Sequence, residues 1–252
     1  KKGEYVGALG ALLVHVAVIA LLILVSFTVP QPDEDAGGVP VMLGNVDTAS
    51  GFDDPSLVDV DIMDENGSMT LPVNGGSNLT ENYVGADFAD YDYYIVLSHF
   101  KGHSMAGYGG AIKNISIGIA SAEGKAHIHS GGTGTNMWGG EQDAFLESMA
   151  EAGKSVTDYL DGNILYINVM NRLSVDCDCD SNPAEPDMHD IGILASFDPV
   201  ALDQACIDLV YAADDGASLI QRIESRNGLH TLEHGEAIGL GSRTYELINI
   251  DR

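Results

Sequence analysis

The stretch DIGILASFDPVALDQACIDLVYAA, residues 190–213, decides the fold class because it joins a strand directly to a helix. IGILAS (Ile191–Ser196) is a short apolar run of the kind that forms a buried strand. Asp198 is a favoured residue at a helix N-cap, and Pro199 suits the first helical position. The stretch therefore predicts one strand that is followed at once by a long helix.

The same alternation of strand and helix extends along the chain. YYIVLS (Tyr93–Ser98) and ILYINVM (Ile164–Met170) predict two further strands, and AFLESMAEAGKSVTDYLDG between them has apolar residues at helical spacing. Ser218–Ser225 predicts another helix, and YELINI (Tyr245–Ile250) predicts a last strand. Alternation of this kind predicts an α/β domain with a largely parallel sheet flanked by helices.

The charge of the chain excludes one class of partner. The 252 residues include 38 acidic and 11 basic side chains, which gives a formal net charge of −27. Nucleic-acid binding requires a surplus of Lys and Arg, so we expect no nucleic-acid partner. Apolar residues make up 45% of the chain, enough for most of it to fold. Three cysteines are too few for a disulfide framework.

Residues 6–29, VGALGALLVHVAVIALLILVSFTV, contain no Asp, Glu, Lys or Arg. The run is long enough to span a bilayer core of about 30 Å as a helix. A cleaved signal peptide is the alternative, but its apolar region has only about 7–15 residues. Lys1 and Lys2 precede the run and acidic residues follow it, so we expect a single-pass anchor with a cytoplasmic N-terminus.

The chain is therefore expected to have three parts. Residues 1–30 form the transmembrane anchor. Residues 31–70 form an extended acidic linker, because residues 31–65 hold ten acids and no Lys or Arg. Residues 71–252 form the α/β domain.

His15 is the one ionisable side chain inside the apolar run, and such a group in a membrane helix is by default a functional hypothesis. Together with VPVMLGNVDTASG (residues 39–51), it makes the segment Lys2–Asp61 resemble the N-terminus of TonB-type energy transducers. The resemblance implies that the membrane helix couples through His15 to a proton-driven motor complex.

Polar clusters follow each of three predicted strands: SHFKGH (Ser98–His103), DCDCD (Asp176–Asp180) and SFDP (Ser196–Pro199). In α/β sheets, ligands bind beyond the carboxyl ends of the strands, so we expect the clusters to meet at one sheet edge. The first cluster continues into the glycine-rich loop Gly107–Gly110, where backbone N–H groups can approach an anion with Lys113 nearby. A tight turn with exposed histidines is the alternative.

Two segments carry pairs of possible metal ligands. GKAHIHS (Gly124–Ser130) places His127 and His129 two residues apart, which is one face of a strand. Cys177 and Cys179 form a Cys-x-Cys pair of soft ligands in an acidic loop. Candidates for the rest of the shell are the histidines His189, His99 and His103. An edge-strand histidine pair and an unligated acidic loop are the respective alternatives.

The third cysteine and two more histidines are interpreted differently. Cys206 has helical spacing from Leu202 and Leu209, which predicts a buried, inert thiol in the core. His230 and His234 lie in HTLEH, which lacks the His-Glu order of the H-E-x-x-H zinc motif, so we predict surface residues.

Four motifs in order, HFKGH…GYGGAIKN, GKAHIHS, CDCD and DIGILASFDPVALDQAC, closely resemble the uncharacterised iron–sulfur-centre protein family, domain of unknown function 362. The resemblance covers about residues 71–251. It implies an α/β fold and an iron–sulfur cluster or a divalent metal, iron or zinc. The matching positions are His99, Lys101, His103, Lys113, Asn114, His127, His129, Cys177, Cys179, Asp198 and Asp203.

From these positions we take two sets of candidate site residues. The cofactor-binding candidates are His99, Lys101, His103, Lys113 and Asn114. The metal candidates are Cys177, Cys179, His127, His129 and, from the same acidic loop, His189. A conventional [4Fe–4S] cluster takes four cysteines, so we expect none within this chain of three.

Three hypotheses follow. The first is a membrane-tethered α/β domain that binds a metal or an iron–sulfur cluster and has a redox or ligand-binding activity. The second is a TonB-like energy transducer that acts through its membrane helix. The third is a non-native fusion of two unrelated segments near residues 64–69, with a truncated, cytoplasmic α/β domain whose exposed sheet edge favours self-association.

Overall fold

A computed structural model describes residues 42–43, 66–134, 136, 140–178, 180 and 182–250 of the chain. The predicted membrane helix with His15, most of the predicted linker, and Cys179 lie outside these residues. In the part of the chain that the structure describes, no helix is both long enough and apolar enough to cross a membrane. The described residues belong to one compact unit, Val41–Arg252.

The predicted α/β class is confirmed. The described strands are β1 (Met42–Leu43), β2 (Ser68–Pro72), β3 (Glu81–Gly85), β4 (Tyr94–His99), β5 (Lys101–His103), β6 (Gly107–Gly109), β7 (Ile164–Met170) and β8 (Gly192–Ser196). The described α-helices are α1 (Ala111–Lys113), α2 (Ala122–His129), α3 (Gln142–Leu160), α4 (Pro199–Ala212), α5 (Ala217–Ser225) and α6 (His230–Ala237). In addition, a 3-10 helix spans Ala86–Asp90, and α1 runs into a π-helical turn at Asn114–Gly118.

The main sheet has the strand order β1-β4-β7-β8 and is mixed, so the prediction of a largely parallel sheet is wrong. β4 pairs in parallel with β1 and β7, whereas β8 runs antiparallel to β7. The parallel step from β4 to β7 has a crossover that contains α1, α2 and α3. A parallel pair of strands needs a crossover connection, which is usually a helix. The link from β7 to β8 has no helix in its described residues, and β8 pairs antiparallel with β7.

Two hairpins accompany the main sheet, and the sequence predicts neither. β2 pairs antiparallel with β3, and β5 pairs antiparallel with β6. β1 and the first three residues of β2 lie within the range that the sequence assigns to the linker. The predicted last strand, Tyr245–Ile250, is wrong, since it has no regular structure; the Tyr245 hydroxyl instead donates to Asp208 at 2.7 Å.

The core lies on one face of the main sheet. β7 alternates between buried residues, such as Tyr166, and half-buried residues, such as Val169. Apolar residues of α3 and α4 cover the buried face, and Cys206 of α4 is fully buried there, as predicted. α4 also begins as predicted, because the Asp198 carboxylate accepts hydrogen bonds from the first turn and Pro199 follows it.

Candidate functional site

A cavity of about 500 Å³ opens at the carboxyl ends of β4 and β7. Its walls from the sheet side are Leu97, Ser98 and His99 of β4, and Val169, Asn171 and Arg172 at the end of β7. The remaining wall comes from residues 174–186, the strap loop, which the structure describes except for residues 179 and 181. This is the position at which α/β sheets bind ligands.

Two of the three predicted polar clusters meet at this edge, and the third does not. Ser98–His103 and Asp176–Asp180 come together, since His99 contacts Asp178 across 79 positions of sequence. Ser196–Pro199 is elsewhere because β8 is antiparallel: Ser196 pairs with Tyr166, away from the carboxyl end of β7. The prediction that all three converge is therefore wrong for the last cluster.

His99 has a hydrogen-bond acceptor at each ring nitrogen. Its Nδ1 lies 2.9 Å from both carboxylate oxygens of Asp178, and its Nε2 lies 2.7 Å from the carbonyl oxygen of Asn171. Only an imidazolium can donate at both ends. In agreement, the hydrogen bond to Asp178 raises the pKa of His99, although burial works against it.

Lys101 completes the ionic cluster from the side of β5. Its Nζ lies 3.1 Å from Asp178 Oδ2, and its side chain is buried. Burial alone would raise the pKa of Asp178, but the hydrogen bond from His99 and the charge of Lys101 bring it to about 2. Asp178, in the strap loop, is therefore a fixed anion between two cations.

Gly102 explains how the hairpin β5–β6 reaches the strap loop. A Cβ at this position would lie 2.1 Å from the carbonyl oxygen of Val175, so a side chain has no room. The Gly102 amide donates to the carbonyl of Ser174 at 2.7 Å. The glycine of SHFKGH is thus needed for close backbone packing.

The two backbone amides that follow the glycine-rich loop are occupied by an internal carboxylate. Asp203 of α4 accepts hydrogen bonds from the backbone amides of Ala111 and Ile112 at 2.8 and 3.0 Å, and from Asn168 Nδ2 at 2.7 Å. Burial raises the pKa of Asp203 to about 6. Anion binding by the amides of Gly107–Gly110 themselves stays a prediction.

Two further cofactor-binding candidates lie close to this edge. Asn114 donates to the Ser98 hydroxyl at 2.7 Å, and Ser98 lines the cavity. Lys101 and Lys113 both flank Gly109, because a Cβ built there would lie within 4 Å of each side chain.

The predicted histidine ligands are not brought together. His103 is buried and its Nδ1 accepts from the backbone amides of residues 105 and 106. His127 and His129 lie on α2, so the prediction of a strand with both imidazoles on one face is wrong. His127 packs on Tyr83, whereas His129 stacks on Phe145. His189 pairs with Asp215 at 2.8 Å.

The cysteines do not fit a conventional iron–sulfur cluster. Cys206 faces the core, where its Sγ lies 3.4 Å from Asn168 Nδ2 and burial raises the pKa of its thiol well above the usual range. Cys177 is buried in the strap loop. Among the residues described, no three His, Cys, Asp or Glu side chains are grouped as metal ligands would be. Cys179 lies outside them.

One ionic cluster is missed by the sequence analysis. Glu151 of α3 is fully buried and accepts from the backbone amides of residues 77, 78 and 79 and from His234 Nε2 at 2.9 Å. Glu147, one turn earlier, pairs with His230 at 3.0 Å. His230 and His234 are thus partly buried ion-pair partners, not surface residues. Glu147 and Glu151 are four residues apart, and so are His230 and His234. This matching spacing is the sequence feature that predicts two pairs between two helices.

Arg172 has an unusual backbone at the mouth of the cavity. Its φ is +46°, a left-handed conformation that costs a side chain such as arginine about 1–3 kcal/mol. The two other described non-glycine residues with positive φ are Asp161 and Asn227, types that tolerate this conformation well. The Arg172 amide donates to Asp190 at 2.6 Å, and this hydrogen bond helps to hold the residue in its strained conformation.

In a comparison with protein families, the model described as "Domain of unknown function (DUF362)" matches residues 41–208, from β1 to the middle of α4. No curated protein matches the chain.

Proposed function

The chain belongs to the DUF362 family, a domain of unknown function, and on this premise we propose that it binds a small polar molecule in the cavity between β4, β7 and the strap loop. The observation that carries the proposal is an ionic cluster in which His99 and Asp178 line the cavity and the buried Lys101 pairs with Asp178. A cavity of about 500 Å³ is of the size that holds small ligands.

The polar groups of the cavity have defined orientations, as a recognition site requires. Asp178 and the Asn171 carbonyl hold the His99 ring from both sides. Ser98 accepts from Asn114, which leaves its hydroxyl proton for donation. Leu97 and Val169 supply the apolar part of the wall.

The test is a fragment screen followed by amide chemical shifts in the full chain. We expect polar fragments to shift the amides of residues 97–99 and 171–172. Ala184→Trp fills the cavity from the exposed strap loop and should abolish these shifts. Ala212→Trp, at an exposed position at the end of α4, is the matched control and should preserve them. Fragments that bind equally to the Ala184→Trp variant would contradict the proposal.

A second candidate function is metal binding by Cys177 and Cys179. Its support is the Cys-x-Cys spacing, together with the position of Cys177 between Asp176 and Asp178, which both line the cavity. Elemental analysis of chain produced anaerobically with iron and zinc tests it. Cys177→Ser/Cys179→Ser should remove bound metal, while Cys206→Ser should not. Metal-free wild type would exclude the site.

Membrane tethering is a further proposal, supported by the uncharged run at residues 6–29. If the TonB-like alternative holds, His15→Ala abolishes crosslinking to a proton-driven partner but leaves membrane insertion intact. Equal crosslinking by the variant would exclude this role for His15.

A further inference from the structure

The cationic side chain at the mouth of the cavity is only weakly engaged. The Arg172 guanidinium lies 3.9 Å from the Glu185 carboxylate, and both side chains are largely exposed, at 72% and 94%. Exposed pairs of this length contribute little to stability. The strained backbone of Arg172 therefore supports a side chain that makes no strong contact with the residues that the structure describes.

The other charged groups around the cavity have close partners. Asp178 is held by His99 and Lys101 at 2.9 and 3.1 Å. Asp176 pairs with Arg222 of α5 at 3.0 Å. The charges of both carboxylates are thereby balanced by neighbouring cations. The guanidinium of Arg172 is the most exposed of the cations around the cavity.

The charge around the cavity also differs from that of the chain. Lys101, Arg172 and Arg222 are three of only 11 basic residues in a chain with 38 acids. Together with the doubly hydrogen-bonded His99, they balance Asp176, Asp178, Glu185 and Asp190, whose carboxylate accepts from the Arg172 amide. An anion meets less repulsion here than over the strongly acidic chain as a whole.

We propose that the ligand of this cavity carries an oxyanion group, either a carboxylate or a phosphate. Arg172 pairs with this group instead of with the Glu185 carboxylate. A guanidinium presents two parallel N–H groups that match two oxygens of such a group. The inference rests on the proposed function and specifies its ligand class. It also accounts for an arginine at a position whose backbone favours glycine.

The experiment compares three four-carbon probes of different charge, succinate, succinamide and 1,4-diaminobutane, by calorimetry and amide shifts in the full chain. Glycerol 3-phosphate and glycerol form a second matched pair. We expect each anion to bind about tenfold or more tightly than its neutral counterpart. Arg172→Gln should abolish this preference, and Arg172→Lys should restore only part of it.

Two variants serve as controls. Arg226→Gln removes the same charge from an exposed position outside the cavity lining and should leave the preference unchanged. Glu185→Gln removes the competing carboxylate and should strengthen anion binding roughly two- to threefold.

The outcomes separate this inference from the proposed function. Equal binding of charged and neutral probes, with no effect of Arg172→Gln, would overturn the inference that the ligand carries an oxyanion. The proposal that the cavity binds a small polar molecule would then still stand. Preference for 1,4-diaminobutane would also overturn it, because the acidic lining would then dominate. If no probe or fragment shifts the cavity amides, both proposals fail.

Discussion

Glu151→Gln is the substitution that most directly tests how α3 holds the segment before β3. The carboxylate is fully buried and accepts from the backbone amides of residues 77–79 and from His234. Glutamine has the same shape, but one of its two terminal atoms is a donor. The substitution therefore changes the hydrogen bonding without creating a cavity.

The magnitude follows from the contacts of each oxygen. Oε2 accepts from Asn78 and Leu79 at 3.1 and 2.7 Å, and Oε1 accepts from Ser77 and His234 at 2.6 and 2.9 Å. The Asn78 amide also lies 3.2 Å from Oε1, so it keeps an acceptor when the NH₂ group of the glutamine replaces Oε2, and the Leu79 amide then faces a donor. With the opposite orientation, the Ser77 amide and His234 Nε2 face the NH₂ group. At least one donor is therefore left unsatisfied, at a cost of about 1–3 kcal/mol. The melting temperature should fall by roughly 2–12 °C.

The pH dependence gives a second measurement. Burial alone would raise the pKa of Glu151, but hydrogen bonds from His234 and the backbone amides outweigh it and lower the pKa. A carboxylate with a lowered folded pKa contributes stability above its unfolded pKa of about 4.5, and this is lost as the pH falls through the folded value. Glu151→Gln should therefore flatten the acid side of the stability curve.

Urea unfolding monitored by circular dichroism provides the assay, with Glu147→Gln as the control. Glu147 is one turn away and partly exposed, and its partners Asn78 and His230 are near solvent. Its substitution should cost about 1 kcal/mol or less. The reasoning is refuted if Glu151→Gln lies within about 1 kcal/mol of wild type, or if both substitutions cost the same.

Three further predictions, two from the structure and one from the sequence, can be tested directly. Gly110→Ala should destabilise the fold by about 1–3 kcal/mol in urea unfolding, because a Cβ would lie 2.4 Å from Asp203 Oδ1, whereas a Cβ at Gly134 meets no described residue within 4 Å and Gly134→Ala should be neutral. Cys206 should react with iodoacetamide only on unfolding, and rapid native labelling in peptide maps would contradict its burial. The full chain should pellet with membranes and resist carbonate extraction, and recovery in the soluble fraction would exclude the anchor at residues 6–29.

The sequence predicts those parts of the fold that depend on local signals. Asp198 and Pro199 mark the start of α4 because capping involves neighbouring residues only. The same signal at Ser121 marks α2, but the alternating His127-Ile128-His129 gave the appearance of a strand. Strand direction depends on the path of the intervening chain, and the sequence therefore gives no direct signal that β8 is antiparallel.

The candidate site is predictable in position but not in its contacts. Because both segments follow strands of one sheet, His99 and the Asp176–Asp180 segment are expected at the same edge. The pairing of His99 with Asp178 depends on the conformation of the strap loop, which has no regular structure. The left-handed backbone of Arg172 has no sequence signal, since glycine or asparagine is typical there.

The pairing of β4 with β7 also determines when the molecule can assemble. Tyr94 lies opposite Ile164, 70 positions later, and β8 can join only once β7 is in place. The chain between two such distant residues must lose much of its entropy before the contact can form. This entropy loss slows folding into the millisecond-to-second range. On the ribosome, β4 therefore waits several seconds for its partner while helices α2 and α3 emerge, at about 5–20 residues per second. During that interval its edge is open to chaperones and to other nascent chains.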